Sequence, residues 1–171
     1  TSSTKIIVRF PYESEQPAFA LPVPEELRAN NHPNCWKTLL WIKPDTGQLS
    51  LSYKNGFEPI TEIKTLAMQK VSTGGQSMAS SAGMIPEFTA IAYVGLLLRV
   101  IKGWINLDVF PVLGINPNQR KVSWELNMGL PASKKDDKKI SDKFQRIIEY
   151  AWNLSNQSDS LLASEIQPLI M

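Results

Sequence analysis

A single apolar stripe near the end of the chain constrains the fold more than any other feature. Its residues are Ile140, Phe144, Ile147, Ile148, Ala151 and Trp152. These spacings place them on one face of an α-helix, and the pattern predicts a helix over residues 140–154. The acids Asp136 and Asp137 precede it and suit the positive end of a helix dipole. Because such a face has to be buried, the rest of the chain must supply a core for it to pack against.

Two further helices are predicted upstream. Residues 86–104 are mostly apolar, begin with a proline and end near Gly103, as helices commonly do. Residues 58–68 carry apolar residues at helical spacing, with Pro59 in an early position where it is tolerated. Between these two helices, residues 72–85 are small, polar and glycine-rich, which predicts a flexible linker.

Four segments are typical of β-strands because they are rich in β-branched and aromatic residues or alternate between apolar and polar. They are Lys5–Phe10, Cys35–Ile42, Leu49–Tyr53 and Val122–Leu130. The turn residues of KPDTGQ separate the second segment from the third and predict a β-hairpin. Strands and helices in this order predict an α/β fold with a mixed sheet and flanking helices.

The composition fits a globular domain, and we expect a cytoplasmic location. The chain has 171 residues, of which 43% are hydrophobic and 20% charged, and its net charge is only +2. So small a charge gives no electrostatic reason to expect a nucleic-acid or membrane partner. The longest apolar stretch, Ile91–Ile101, contains Arg99 and is shorter than the roughly 20 residues that span a bilayer. The lone cysteine, Cys35, excludes an internal disulfide and fits a reducing compartment.

Most familiar catalytic and metal sites are excluded by the residues present. His32 is the only histidine, so the chain has neither a histidine-dependent triad nor a histidine-rich metal site. With Cys35 it supplies two ligands where a structural zinc needs four, which favours ordinary packing for both. Neither the P-loop nor the dinucleotide-binding glycine motif occurs. We therefore expect no metal site built from these residues.

One short motif remains as a candidate for binding. Residues 1–5 read TSSTK and stand directly before a predicted strand. Small hydroxyl residues at a tight turn offer hydroxyl and backbone N–H donors to anionic oxygens, and they let the backbone come close to a phosphate. A serine- and threonine-rich chain end is also typical of plain surface, so other features have to decide between the two interpretations.

Four features taken in order resemble the actin-like ATPase superfamily, which includes actin, sugar kinases and the seventy-kilodalton heat-shock chaperones. TSSTKIIV resembles its first phosphate loop, and EIKTLAM is similar to a lysine-containing helix of the chaperones. NMGLPA, at 127–132, resembles the chaperone strand that ends in Val-Pro-Ala. The helix at 140–154 stands where the family has a helix after that strand. The resemblance covers about the first 155 residues.

The resemblance implies an RNase H-like, actin-like ATPase fold that binds ATP with Mg²⁺. Thr1, Ser2, Ser3 and Thr4 would form the phosphate-binding segment, in which Thr1 and Ser2 contact the β- and γ-phosphates. Lys64 would be catalytic: it would help to place the attacking water and offset charge on the γ-phosphate. Pro131 would relay the nucleotide state to a neighbouring domain. The alternatives without a functional role are that Lys64 is an exposed helical lysine and that Pro131 ends a strand.

The family pattern is incomplete in this sequence. The Asp-x-Gly that precedes the phosphate loop in the family is absent before Thr1, as are the second phosphate loop and the adenosine loop after Met171. We therefore expect residues 1–171 to be a partial nucleotide-binding domain, its first lobe, whose nucleotide-driven closure signals to a protein client or partner. Two alternatives remain: a small-molecule kinase of the sugar-kinase type, and an adaptor or scaffold that keeps the fold without hydrolysing ATP.

Overall fold

The structure, a computed structural model, describes residues 3–12, 18–68, 86–130, 132–134 and 136–157. Within these ranges the chain forms short strands of two or three residues and several helices. The strands are β1 (Ser3–Lys5), β2 (Ile7–Val8), β3 (Phe19–Ala20), β4 (Cys35–Lys37), β5 (Leu40–Ile42), β6 (Leu49–Ser50) and β7 (Glu58–Ile60). The α-helices are α1 (Ile63–Met68), α2 (Pro86–Trp104), α3 (Phe110–Leu113) and α4 (Lys138–Ser155). The predicted α/β class is confirmed.

The strands form three small sheets, and every pairing among the described residues is antiparallel. Strand β1 pairs with β4, β2 pairs with β3, and β5 lies between β6 and β7. The predicted hairpin is confirmed, since Ile42 of β5 lies opposite Leu49 of β6. A single mixed sheet was expected, but the described strands are divided among separate sheets.

Two predicted strands are each split between sheets. The chain leaves β1 at Lys5 and enters β2 at Ile7, and it leaves β4 at Lys37 and enters β5 at Leu40. Alternation along a sequence predicts which side chains face the core, whereas the partner of each backbone segment depends on distant residues. For this reason, a segment with one continuous strand-like pattern can pair in two different sheets.

The helix predicted over residues 58–68 is correct only in its second half. Residues 58–60 form β7, an edge strand of its sheet. An edge strand pairs on one side only, so the N–H that Pro59 lacks is not needed for a second partner strand. Burial of Ile60, which is 1% exposed, favours the strand over local helix propensity. The chain then turns at Glu62, whose φ of 58° is left-handed, and α1 begins at Ile63.

The strand predicted over Val122–Leu130 is wrong. These residues have no regular secondary structure, although Val122, Leu126 and Met128 do pack against the core while Ser123 and Glu125 are exposed. The alternation therefore gives the facing of these three apolar residues correctly, but Trp124, which it places on the same face, is 37% exposed. A strand also needs a neighbouring backbone to bond with, and no described strand pairs with this segment.

The long helix α2 is confirmed and extends further than predicted. It continues through a π-helical turn, Ile105–Val109, into α3, and it ends at Gly114, which has a φ of 64°. Gly103 lies inside the helix instead of ending it. From Glu87 to Leu113 the helix is long and apolar enough to cross a membrane, by length and composition alone. More than half of its most apolar window (56%) is buried inside the protein, as in an ordinary core helix.

Helix α4 is also confirmed and covers the predicted stripe. Asp137 caps it, and its carboxylate accepts hydrogen bonds from the backbone N–H groups of Lys139 and Ile140 at 3.1 and 3.3 Å. Its buried residues pack against α2, with Ala151 and Leu154 directly beside Gly95. The predicted stripe therefore faces a core built largely by the second predicted helix.

The two long helices run in the same direction. Glu87 near the start of α2 contacts Arg146 of α4, at 3.6 Å, and Lys102 near the end of α2 contacts Ser155. Lys102 also donates to Asn156 at 2.5 Å, and its ammonium lies 3.6 Å from the centre of the Trp152 ring. This cation therefore sits at the negative end of the α4 dipole, where it is stabilising.

Candidate functional site

The structure describes three of the predicted site residues: Ser3, Thr4 and Lys64. Thr1, Ser2 and Pro131 lie outside the described residues, as does the predicted linker at 72–85. The site is therefore built here from the end of the hydroxyl-rich segment and the predicted catalytic lysine.

Ser3 and Thr4 lie in strand β1, where a tight turn was expected. Strand geometry sends neighbouring side chains to opposite faces, so Ser3 is exposed while Thr4 is half-buried. In the pairing with β4, Ser3 lies opposite Lys37 and Thr4 lies opposite Trp36. Of the two hydroxyl groups, only that of Ser3 is on the solvent side.

Lys64 reaches this strand from α1. Its Nζ donates a hydrogen bond to the backbone carbonyl of Ser3, a residue 61 positions away in sequence. The left-handed turn at Glu62 sets the start of α1 and hence the direction from which the lysine approaches. The structure therefore brings together two residues that the sequence predicted for one site.

The surroundings of Lys64 affect its charge. Burial lowers the pKa of its ammonium below the ordinary lysine value, and the nearby Cys35 thiol partly opposes that effect. The side chain as a whole is exposed, so only the ammonium end is partly shielded from water by the strand it contacts. A partly desolvated cation of this kind interacts more strongly with a nearby anion than one in open water does.

The Thr4 hydroxyl is bonded inside the protein. It lies 2.9 Å from the hydroxyl of Thr38, a residue that is 6% exposed. The Tyr93 hydroxyl is close to both, and it donates to the Lys37 carbonyl at 3.0 Å. Burial raises the pKa of Tyr93, and its hydrogen bonds with the two threonines lower it in part. Thr4 therefore anchors β1 to α2 in this structure.

Sequence reasoning did not find Thr38 or Tyr93. The available signal was a tyrosine within the otherwise apolar run AIAYVGLL of α2. A buried hydroxyl is expensive unless it is hydrogen-bonded, so a polar residue there implies a specific partner. Which partner it has depends on the tertiary structure alone.

The donors around Ser3 suit anionic oxygens. A serine hydroxyl and an ammonium both donate hydrogen bonds, whereas Mg²⁺ takes oxygen ligands such as carboxylates. In the described part of the chain, no group of three or more histidine, cysteine, aspartate or glutamate side chains comes together. These residues fit a phosphate better than they fit a metal ion.

A surface pocket lies away from Ser3 and Lys64. It has a volume of about 350 Å³ and includes the side chains of Trp41, Leu51 and Tyr53, with Trp41 and Tyr53 in edge-to-face contact at 5.1 Å. None of the predicted site residues lines it. It shares with the Ser3 site only strand β4, through Trp36 and Lys37.

The comparisons with known proteins leave the family open. No family model, curated protein or solved structure matches the chain. The functional assignment therefore depends on the residues and geometry described above.

Proposed function

We propose that this chain is part of an ATP-binding, chaperone-like ATPase domain of the actin-like fold. The observation that carries the proposal is the contact between Lys64 and Ser3. The sequence resemblance assigns these residues to the phosphate loop and to the catalytic lysine, which must lie near each other for the assignment to be sensible. Their separation of 61 positions makes a contact by local sequence proximity impossible.

In this proposal the hydroxyl and amide groups of residues 1–3 hold phosphate oxygens at the exposed end of β1. The Lys64 ammonium, now bonded to the Ser3 carbonyl, turns toward the γ-phosphate and offsets charge developing there. The Thr4 hydroxyl remains hydrogen-bonded to Thr38, so Thr4 holds β1 in position and does not contact a phosphate directly. Magnesium would neutralise part of the phosphate charge, but the described residues do not form its ligand set.

The finer fold is also part of the proposal. It is supported by the α/β class and by helix α4, which follows residues 127–132 as the resemblance requires. Residues 122–130 pair with no strand among the described residues, so the resemblance of NMGLPA rests on its sequence alone. Closure of two lobes around ATP, read by a protein partner, would be the output of such a domain.

The test is calorimetric binding of ATP with Mg²⁺ to the intact gene product and, in parallel, to this 171-residue chain. Lys64→Ala should weaken binding about tenfold or more, because a hydrogen bond to a charged group contributes roughly 1.5–3 kcal/mol. Lys139→Ala is the matched control: it removes an exposed lysine from the first turn of α4, and it should leave the affinity unchanged.

The outcomes separate the candidate functions. ATP binding and hydrolysis that both fall in Lys64→Ala and Ser2→Ala, with unchanged circular dichroism, would support the ATPase. Hydrolysis that depends on an added sugar would instead identify a kinase, and binding without turnover would identify an adaptor. If neither protein binds ATP, the proposal is refuted.

A further inference from the structure

Tyr93 places a buried hydroxyl within the apolar run AIAYVGLL of α2. The residue is 3% exposed, and its hydroxyl donates to the Lys37 carbonyl at 3.0 Å. The hydroxyls of Thr4 and Thr38, 2.9 Å apart, complete a cluster that we call the hydroxyl cluster. It joins α2, β1 and the segment between β4 and β5.

The hydroxyl cluster and Lys64 bond to the two members of one residue pair in the ladder of β1 and β4. Lys37, whose carbonyl accepts from Tyr93, lies directly opposite Ser3 in the pairing of β1 with β4. Ser3 is the residue whose carbonyl accepts from Lys64. One register position of a strand pair is therefore bonded to α1 through Ser3 and to α2 through Lys37.

Strand β1 is short. It is three residues long and pairs with one strand among those described, both Ser3 and Lys5 are exposed, and Ile6 directly after it packs against the core. A two-stranded ribbon this short is marginal without further packing. Within β1 only the side chain of Thr4 is half-buried, and its hydroxyl leads to Thr38 and Tyr93.

We infer that Tyr93 is a positioning residue for the proposed nucleotide site, fixing β1 through Thr4 and Lys37 so that Lys64 and Ser3 meet. The ligand in this inference is ATP, so that part of it rests on the proposed function. The position of β1 relative to Lys64 does not depend on any ligand and can be measured without one.

The first experiment compares the protein with its Tyr93→Phe variant, which removes only the hydroxyl. Burial against β1 lowers the pKa of Lys64, so release of β1 should raise that pKa toward the ordinary value of 10.5. An NMR titration of the lysine Cε–Hε signals measures this shift. The Tyr150→Phe variant is the control, since Tyr150 is a half-buried tyrosine that lies on α4, and it should leave the pKa of Lys64 unchanged.

The second experiment measures ATP affinity in the same variants. Tyr93→Phe should weaken binding about fivefold, the loss that corresponds to one typical hydrogen bond. Thr4→Val, which replaces the hydroxyl at a less buried position, keeps the test valid if the tyrosine variant does not fold. Combining the two changes should cost less than the sum of their separate effects, because both act through one cluster.

The results distinguish the two proposals. If the unmodified protein does not bind ATP, the proposed function fails, and the Lys64 titration still decides whether Tyr93 positions β1. An unchanged Lys64 titration in both Tyr93→Phe and Thr4→Val would overturn the inference. So would ATP binding by both variants with the affinity of the unmodified protein.

Discussion

The contact between α2 and α4 at Gly95 gives a quantitative test of the packing. Gly95 is buried against α4, and a Cβ atom added there would lie 2.9 Å from Cδ2 of Leu154. It would also lie 3.4 Å from the Ala151 carbonyl oxygen and 3.4 Å from Cβ of Leu154. Comfortable contacts between carbon atoms are about 3.5–4.0 Å, so Gly95→Ala forces the two helices apart or moves Leu154 off its position.

Two effects of opposite sign decide the magnitude. Overpacking a buried site typically costs about 1–3 kcal/mol. Replacing a mid-helix glycine with alanine stabilises the helix by about 1 kcal/mol. Leu154 is completely buried, so its methyl group has little room to move, and we expect Gly95→Ala to lower the free energy of unfolding by about 1 kcal/mol.

Gly103 provides the matched control on the same helix. No atom lies within 4 Å of a Cβ added there, so Gly103→Ala should gain the helix propensity without the overpacking. We expect it to raise the free energy of unfolding by about 1 kcal/mol. The difference between the two variants isolates the overpacking, because the propensity gain is common to both.

The assay is urea unfolding followed by far-ultraviolet circular dichroism and by tryptophan fluorescence. Coincident transitions would justify a two-state analysis, and the midpoints at equal slope give the stability differences. In a Leu154→Ala background, Gly95→Ala should become less harmful, since the clashing methyl group is gone. Equal stability of the Gly95→Ala and Gly103→Ala variants would show that the helices separate without cost, and it would refute the packing described here.

Two further predictions concern helix starts. Asp137→Ala should lower the free energy of unfolding by about 1 kcal/mol because two backbone N–H groups of α4 lose their acceptor. The neighbouring Asp136→Ala variant is the control and should have little effect. Equal losses of stability in the two variants, measured by urea unfolding, would contradict the cap. Glu62→Gly should raise the free energy of unfolding by about 0.5 kcal/mol. Glycine removes the cost of a left-handed φ of 58°, but it also adds entropy to the unfolded chain, which offsets part of the gain. Glu62→Ala keeps that φ, so a thermal scan in which alanine stabilises as much as glycine would show that the backbone at residue 62 is not strained.

The candidate site was only partly predictable from the sequence. The pattern of TSSTK and the helix containing Lys64 identified residues that do lie together at Ser3. The sequence did not predict that Thr4 is bonded to Thr38, or that Tyr93 belongs to the same cluster. Hydrogen bonds between residues 34 and more positions apart are set by how the elements pack, and no local pattern records them.

The local sequence pattern by itself determined the two long helices, the buried side of α4, and the hairpin of β5 and β6. It succeeded there because each signal depends on residues a few positions apart, such as the stripe of α4 or the turn after Ile42. It also gave the correct facing of Val122, Leu126 and Met128, but not that of the exposed Trp124. The local pattern could not predict whether this segment has a partner strand, because strand hydrogen bonds join two separate backbone segments.

Only the tertiary structure decided which sheet each strand joins, and it placed Lys64 against Ser3. It converted residues 58–60 from helix to strand because burying Ile60 against β5 outweighs local propensity. It also allowed α2 to continue past Gly103, since Ile105, Val109 and Phe110 are buried against the core. In each case the deciding energy comes from contacts between residues far apart in the chain.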